Sequence, residues 1–219
     1  KMQRSADGTI KNAVKLFDDM IVESVLILTS TRITACISSQ VGCSLTCKFC
    51  ATGYMDRKRN LNADEIYDQV VLLNKESERI FDKKLSNIVF MGMGEPLLNY
   101  DNVLKAVERI SAEDGLFMSP RRITVSTAGV SKQIRKLGDD KVRFKLALSL
   151  HAANDKKRNE IMPINETNNI KVLVDAMNYF YKQTGNEITF EYILFKNFND
   201  SQKDADNKKR ANEKLIEGR

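Results

Sequence analysis

Cys43-Ser-Leu-Thr-Cys47-Lys-Phe-Cys50 sets three thiols in one short stretch, with three residues and then two between them. The chain holds one further cysteine, Cys36, and none follows Cys50. A disulfide framework spreads its cysteines so that each bridge closes a long loop. Thiols grouped this closely point instead to metal or thiol chemistry. Three thiolates at this spacing can wrap a loop round three irons of a cubane iron–sulfur cluster. The fourth iron is then open, whereas electron-transfer clusters fill all four positions with cysteine. Structural zinc is the competing reading. Zinc loops favour paired Cys-x2-Cys units completed by two further ligands. The one histidine, His151, lies far along the chain from Cys50, and Cys36 is six residues clear of Cys43.

Around this stretch the chain is 219 residues long, enough for one large domain or two small ones. Hydrophobic residues at 42% and charged residues at 29% place it among globular proteins rather than disordered or fibrous ones. No apolar run of about 18 residues occurs, so no membrane partner is expected. The first residues lack the charged-then-apolar-then-small order of a signal peptide, so the expected location is cytoplasmic. A net charge of +6 favours a polyanionic partner over an acidic one.

Short β-rich runs alternate with helical spacing. Strands are expected over Ile33–Ser38, Ile88–Met91, Ile123–Thr127, Phe144–Leu150 and Ile188–Leu194, with Glu23–Leu28 in an N-terminal hairpin. Asn62 followed by Glu65 resembles a capping box, and it opens a helix with Ile66, Val70 and Leu73 on one face. Val103, Ala106, Val107 and Ile110 mark a second helix; Val172, Leu173, Ala176, Met177 and Phe180 mark a third. This alternation predicts an α/β fold with parallel strands and right-handed crossovers, in a sheet or partial barrel. Sites in such folds gather at the carboxyl ends of strands. Glu95, Ser126, Ser149 and His151 all stand there. Taken singly, Glu95 reads as a helix cap, either serine as a turn residue and His151 as a satisfied polar residue. Their recurrence at successive strand ends favours a shared cavity.

Cys-x3-Cys-x-aromatic-Cys, with Phe49 as the aromatic, is the signature of the radical S-adenosylmethionine (SAM) superfamily. Further motifs narrow the likeness: Cys36-Ile-Ser-Ser-Gln-Val-Gly-Cys43, Gly92-Met-Gly-Glu-Pro-Leu-Leu-Asn99, Arg121-Arg-Ile-Thr-Val-Ser-Thr127, Ser149-Leu-His151 and Met162-Pro-Ile-Asn165. Together they resemble the RNA methyltransferases that modify carbon 2 of an adenine in 23S ribosomal RNA and, in many bacteria, in tRNA. The resemblance spans about residues 5–207. It implies a partial (βα) barrel of the radical SAM type, a [4Fe–4S] cluster on Cys43, Cys47 and Cys50, and SAM held by Gly94, Glu95, Ser126, Ser149, Leu150 and His151.

The resemblance also implies the chemistry. Adenine carbon 2 is not nucleophilic, so ordinary methyl transfer fails, and a cofactor radical is required. In the family a second cysteine takes a methyl group from one SAM. A second SAM is cleaved at the cluster, and the resulting radical activates that methyl for addition to the base. Cys36 then resolves the protein–RNA crosslink by disulfide formation, which is thiolate chemistry. Glu23 matches the residue that removes the adenine proton, although an exposed strand glutamate would look the same. Neither the methyl-carrying cysteine nor the family's late SAM-contacting asparagine occurs in these 219 residues. The expectation is therefore a chain that binds cluster and SAM without turning over.

Arg57-Lys-Arg59 and Arg121-Arg122 are candidate phosphate contacts, or simply solvated charge. An electron donor such as flavodoxin and a monomeric enzyme are expected. Two rival readings are weighed: a methyltransferase for adenine carbon 8 that confers antibiotic resistance, and a zinc-stabilised RNA-binding module. Pro96 after Glu95 disfavours the first, whose glycine motif tends to end Gly-Glu-Ala. Three parts are expected: a small N-terminal β segment over residues 1–30 leading into the core, a radical SAM core domain over 31–207, and a charged tail over 208–219 that need not be contiguous with the core.

Overall fold

Alternation of buried and open residues runs through Ile10–Lys15 and Ile21–Leu28, and it sets the sheet near the N-terminus. β1 (Met2–Arg4), β2 (Ile10–Lys15), β3 (Ile21–Leu28) and β4 (Ile33–Cys36) pair antiparallel in chain order. In this computed structural model residues 1–216 are described, and they divide into two units. The first comprises Lys1–Ser44 with Met55–Val125; the second comprises Leu45–Tyr54 with the chain from Ser126 onward.

In the first unit a two-strand clip, β5 (Gln40–Val41) against β6 (Arg59–Asn60), follows β4. Then come α1 (Ala63–Phe81), β7 (Asn87–Phe90), α2 (Tyr100–Ser111) and β8 (Ile123–Thr127), whose first three residues belong to this unit. β7 lies parallel to β4, and β8 to β7, as helical crossovers require. Leu26, Ala35, Ile88 and Ile123 are buried on one face of the sheet. Ile66, Val70 and Leu73 of α1 and Val103, Ala106 and Ile110 of α2 are buried with them, and α1 packs on β3, β4 and α2. Asn62 caps α1, and both halves of the capping box with Glu65 are made. β3, in the segment expected over residues 1–30, pairs directly with β4.

The second unit holds α3 (Ser131–Asp139), β9 (Lys145–Ser149), α4 (Asp155–Ile161), α5 (Ile170–Thr184), β10 (Ile188–Glu191) and α6 (Gln202–Ile216). β9 and β10 run parallel, with α5 between them in sequence. Leu173, Ala176, Met177 and Phe180 line the buried face of α5, while Val172 points outward at 39% exposure. α3 packs on that helix, and Gly138 lets it approach, since a Cβ there would meet Tyr179 and Phe180 at 3.2–3.3 Å. Parallel strands joined through helices in both units give the α/β class expected.

Three helices lacked a sequence signal: α3, α4 and α6. α6 runs through position 207 into the tail expected over 208–219. Residues 217–219 of it lie outside the described residues. β10 ends at Glu191, three residues short of expectation. Among the described residues no helix is long and apolar enough to cross a membrane.

Candidate active site

The face of the first sheet opposite α1 and α2 stays partly open. Directly paired residues project to the same face, so Lys11, Val25, Cys36, Val89 and Thr124 form one row across β2, β3, β4, β7 and β8. Glu23 shares that face two residues from Val25. The sequence-predicted pair Cys36 and Glu23 is thus brought onto one surface. Glu23 makes an ion pair with Lys11 at 2.8 Å, both side chains about half exposed at 48%. Cys36 is buried, and burial pushes its thiol up to about 11.

Beyond β7 the chain doubles back onto residues 37–40. A Cβ at Gly92 would lie 2.7 Å from the Ile37 carbonyl oxygen, so glycine is required there. Gly94 has φ +95° and has no room for a side chain beside Gln40. Glu95 follows, buried, and its backbone N–H donates to Gln40 Oε1 at 2.9 Å. Its own Oε1 accepts from Leu97 N at 3.1 Å, capping a 3-10 turn over Pro96–Asn99. The capping role weighed from sequence is therefore real.

Gln40 also opens the segment that delivers Cys43. Gly42, at φ +75°, is pinched against the backbone of Asp56, Lys58 N donates to Val41 O at 2.8 Å, and Cys43 N donates to Met55 O at 3.3 Å. The two ends of the cysteine loop are clamped together.

The remainder of the loop belongs to the second unit. Cys50 N donates to Cys47 O at 3.1 Å and Gly53 N to Cys50 O at 2.9 Å, a tight wind that a Cβ at Gly53 would disrupt. Cys47 packs with Ala128 and Met162, flanked by Phe49 and Cys50. Phe49 meets His151 edge-on, ring centroids 4.5 Å apart. His151 has φ +51° and is 4% exposed; its Nδ1 accepts from Ile193 N at 3.2 Å, and Asn199 Nδ2 donates to its carbonyl at 2.6 Å. Burial, aided by the Arg158 charge, lowers its pKa to about 4, so the imidazole is neutral with its proton on Nε2.

Arg158 ties this unit's strand ends together. It is fully buried; Nη2 donates to Ala128 O at 2.6 Å and Ser149 O at 3.1 Å, Nε to Leu150 O at 3.1 Å, and Nη1 to Asn165 Oδ1 at 2.6 Å. Half-buried Ser126 lies one residue before the end of β8, and half-buried Ser149 ends β9, with buried Leu150 next in the chain.

Residues 37–207 match the family model for the radical SAM superfamily. The chain belongs to that superfamily. It is 63% identical over 203 residues to a protein of Cytophaga hutchinsonii named probable dual-specificity RNA methyltransferase RlmN, which covers 93% of this chain and 56% of that one. A protein of the same name from Christiangramia forsetii is 61% identical over 205 residues, covering 94% and 58%. The chain thus spans little more than half the length of these relatives. The crystal structure of a radical SAM methyltransferase from Sphaerobacter thermophilus superimposes with a TM-score of 0.92 at 40% identity, over 96% of this chain and 62% of that one.

For a radical SAM protein the donor set fits a [4Fe–4S] cluster. None of the four cysteines is in a disulfide, the Cys47–Cys50 turn is tight, and the loop base is clamped at Gly42. Among the described residues no three Cys, His, Asp or Glu side chains are already drawn together round a metal position. Such gathering is ordinarily completed by the metal itself. Gln40, Arg158, Asn165 and Asn199 have structural work here that sequence reading did not assign. Gln40 and Asn165 stood inside quoted motifs; Arg158 lay hidden in the charged run Asp155-Lys-Lys-Arg-Asn-Glu160, which reads as a solvated face.

Proposed function

We propose that this chain is the catalytic core of an RNA methyltransferase that adds a methyl group to carbon 2 of an adenine in 23S ribosomal RNA and in tRNA. The observation carrying this reading is the open sheet face that bears both Cys36 and Glu23. A generic radical SAM enzyme needs neither residue, whereas this chemistry needs a resolving thiol and a base at one surface. High identity to relatives named as dual-specificity RNA methyltransferases supports it.

Cys43, Cys47 and Cys50 would hold the cluster, which with SAM supplies the radical chemistry. Gly94 and Glu95 offer a turn and a carboxylate for the SAM ammonium, a charge-assisted contact. Ser126, Ser149, Leu150 and His151 provide hydroxyls, backbone and a neutral imidazole for the rest of SAM. Glu23 takes the adenine proton after giving up Lys11, a cheap exchange because an exposed ion pair is worth about 1 kcal/mol or less. Burial keeps Cys36 protonated at rest, which restrains its oxidation until the crosslink is to be resolved. The methyl-carrying cysteine is not among these 219 residues. The enzyme is read as a cytoplasmic monomer fed by a donor such as flavodoxin.

Glu23→Gln in the full-length enzyme tests the assignment. Methylation of the carrier cysteine should persist while RNA methylation falls at least 100-fold, as loss of a general base does. Equal loss of both steps would remove Glu23 from the role.

A further inference from the structure

Arg158 is a positive charge sealed from solvent, and among the described residues no carboxylate forms an ion pair with it. Its hydrogen-bond acceptors are three backbone carbonyls and the amide oxygen of Asn165. Asp155, whose charge also acts on Arg158, accepts from Asn165 Nδ2 and from the N–H of Ile170. Neutral acceptors hydrate a guanidinium only in part, and an uncompensated buried charge is ordinarily strongly destabilising. A fold that keeps one has something negative beside it in the working state.

The surroundings name that partner. The guanidinium holds the carbonyl of Ala128, and its own backbone carbonyl accepts from Met162 N. Ala128 and Met162 are the two residues on which Cys47 packs. Ile161, next to Met162, accepts from Lys48 N, so the residue after Cys47 is tied to the end of α4. A thiolate at Cys47 would act on Arg158, as the carboxylate of Asp155 does.

We propose that Arg158 is a positioning residue whose charge lies behind the Cys47 edge of the cluster and raises its reduction potential. The inference rests on the cluster reading above. Three thiolates on a 2+ core carry one net negative charge, and uptake of one electron from a flavodoxin-class donor makes two, with no proton moved. A fixed buried cation favours the more negative state, and net charge is one determinant of cluster potential. Its hydrogen bonds to Ser149 and Leu150 carbonyls join the same charge to the strand end that carries the SAM residues.

The test is an EPR-monitored redox titration of the reconstituted full-length protein without SAM, comparing Arg158→Gln and Arg158→Lys with the parent. Gln retains polarity without charge; Lys retains charge without the fork. Arg158→Gln should lower the reduced-to-oxidised ratio at fixed potential at least tenfold, a shift of about 59 mV. Arg158→Lys should stay within about twofold of the parent while weakening SAM binding. An unchanged potential in Arg158→Gln, or an equal fall in both variants, would overturn the proposal and leave Arg158 a brace only. Should Arg158→Gln fail to take up iron, Arg158→Lys decides alone: a tenfold fall refutes the charge role and parental behaviour supports it. A parent protein that takes up no iron would sink the cluster reading, and this inference with it; a loaded parent with unaltered variants sinks only the inference.

Discussion

His151 shows how one residue can be constrained from three sides. Its backbone is left-handed, its Nδ1 takes a backbone N–H, and its ring edge rests on Phe49. A pKa lowered from 6.5 to about 4 means that the unfolded chain binds a proton in a window where the folded one does not. Stability from this residue is complete above pH 6.5 and is lost as pH falls toward 4, by on the order of 3 kcal/mol at most. His151→Asn should flatten that part of the pH dependence, because Asn tolerates the left-handed backbone and does not titrate. Urea unfolding at stepped pH measures it; equal pH slopes in variant and parent would contradict the assignment.

At the scale of elements, α1 is the best-specified helix. Asn62 and Glu65 cap each other's backbone N–H groups, and Glu65 also takes both Nη atoms of Arg59 at 2.8 Å. Arg59 reaches Asp18 at 2.7 Å with its Nε, which joins the β2–β3 turn to the start of the helix. These two acids hold the guanidinium firmly in its charged form, and it in turn lowers both carboxyl pKa values. Asn62→Ala should cost about 1 kcal/mol, a fall of about 2–4 °C in melting temperature for a chain of this size. Glu65→Ala should cost more, since it removes a cap and an ion-pair partner together. Calorimetric melts rank the two, and the reverse order would count against the network.

Charge belongs to the whole molecule. Of the basic residues considered for RNA, Arg59 is committed within the protein, while Arg57, Lys58, Arg121 and Arg122 are exposed. The net charge of +6 therefore offers phosphate contacts through the second group. In the full-length enzyme, replacing Arg121 and Arg122 by Ala should weaken RNA binding uniformly across sequences and reduce the salt slope by about 1–2. Arg59→Ala should instead lower stability and leave that slope alone. Fluorescence anisotropy over a KCl series separates the two; an unchanged slope in the double variant would exclude those arginines.

The chain's order determined much by itself. Cysteine spacing is local chemistry, so the cluster motif is written within eight residues. Capping boxes and three- or four-residue apolar spacing are also local, which is why α1, α2 and α5 and all five core strands were legible. Only tertiary structure decided the rest, because burial is a property of packing. Lys-Lys-Arg-Asn in α4 reads as a solvated run, yet folding turns Arg158 inward onto the carbonyls of two strand ends. β1, exposed at every residue, takes strand geometry by pairing with β2, and α6 has too little apolar periodicity to announce itself. Glu95 is both cap and candidate ligand because the turn after β7 lies against Gln40. Spacing in the sequence located the thiols; what surrounds Cys47 depended on residues more than eighty positions away meeting it in the fold.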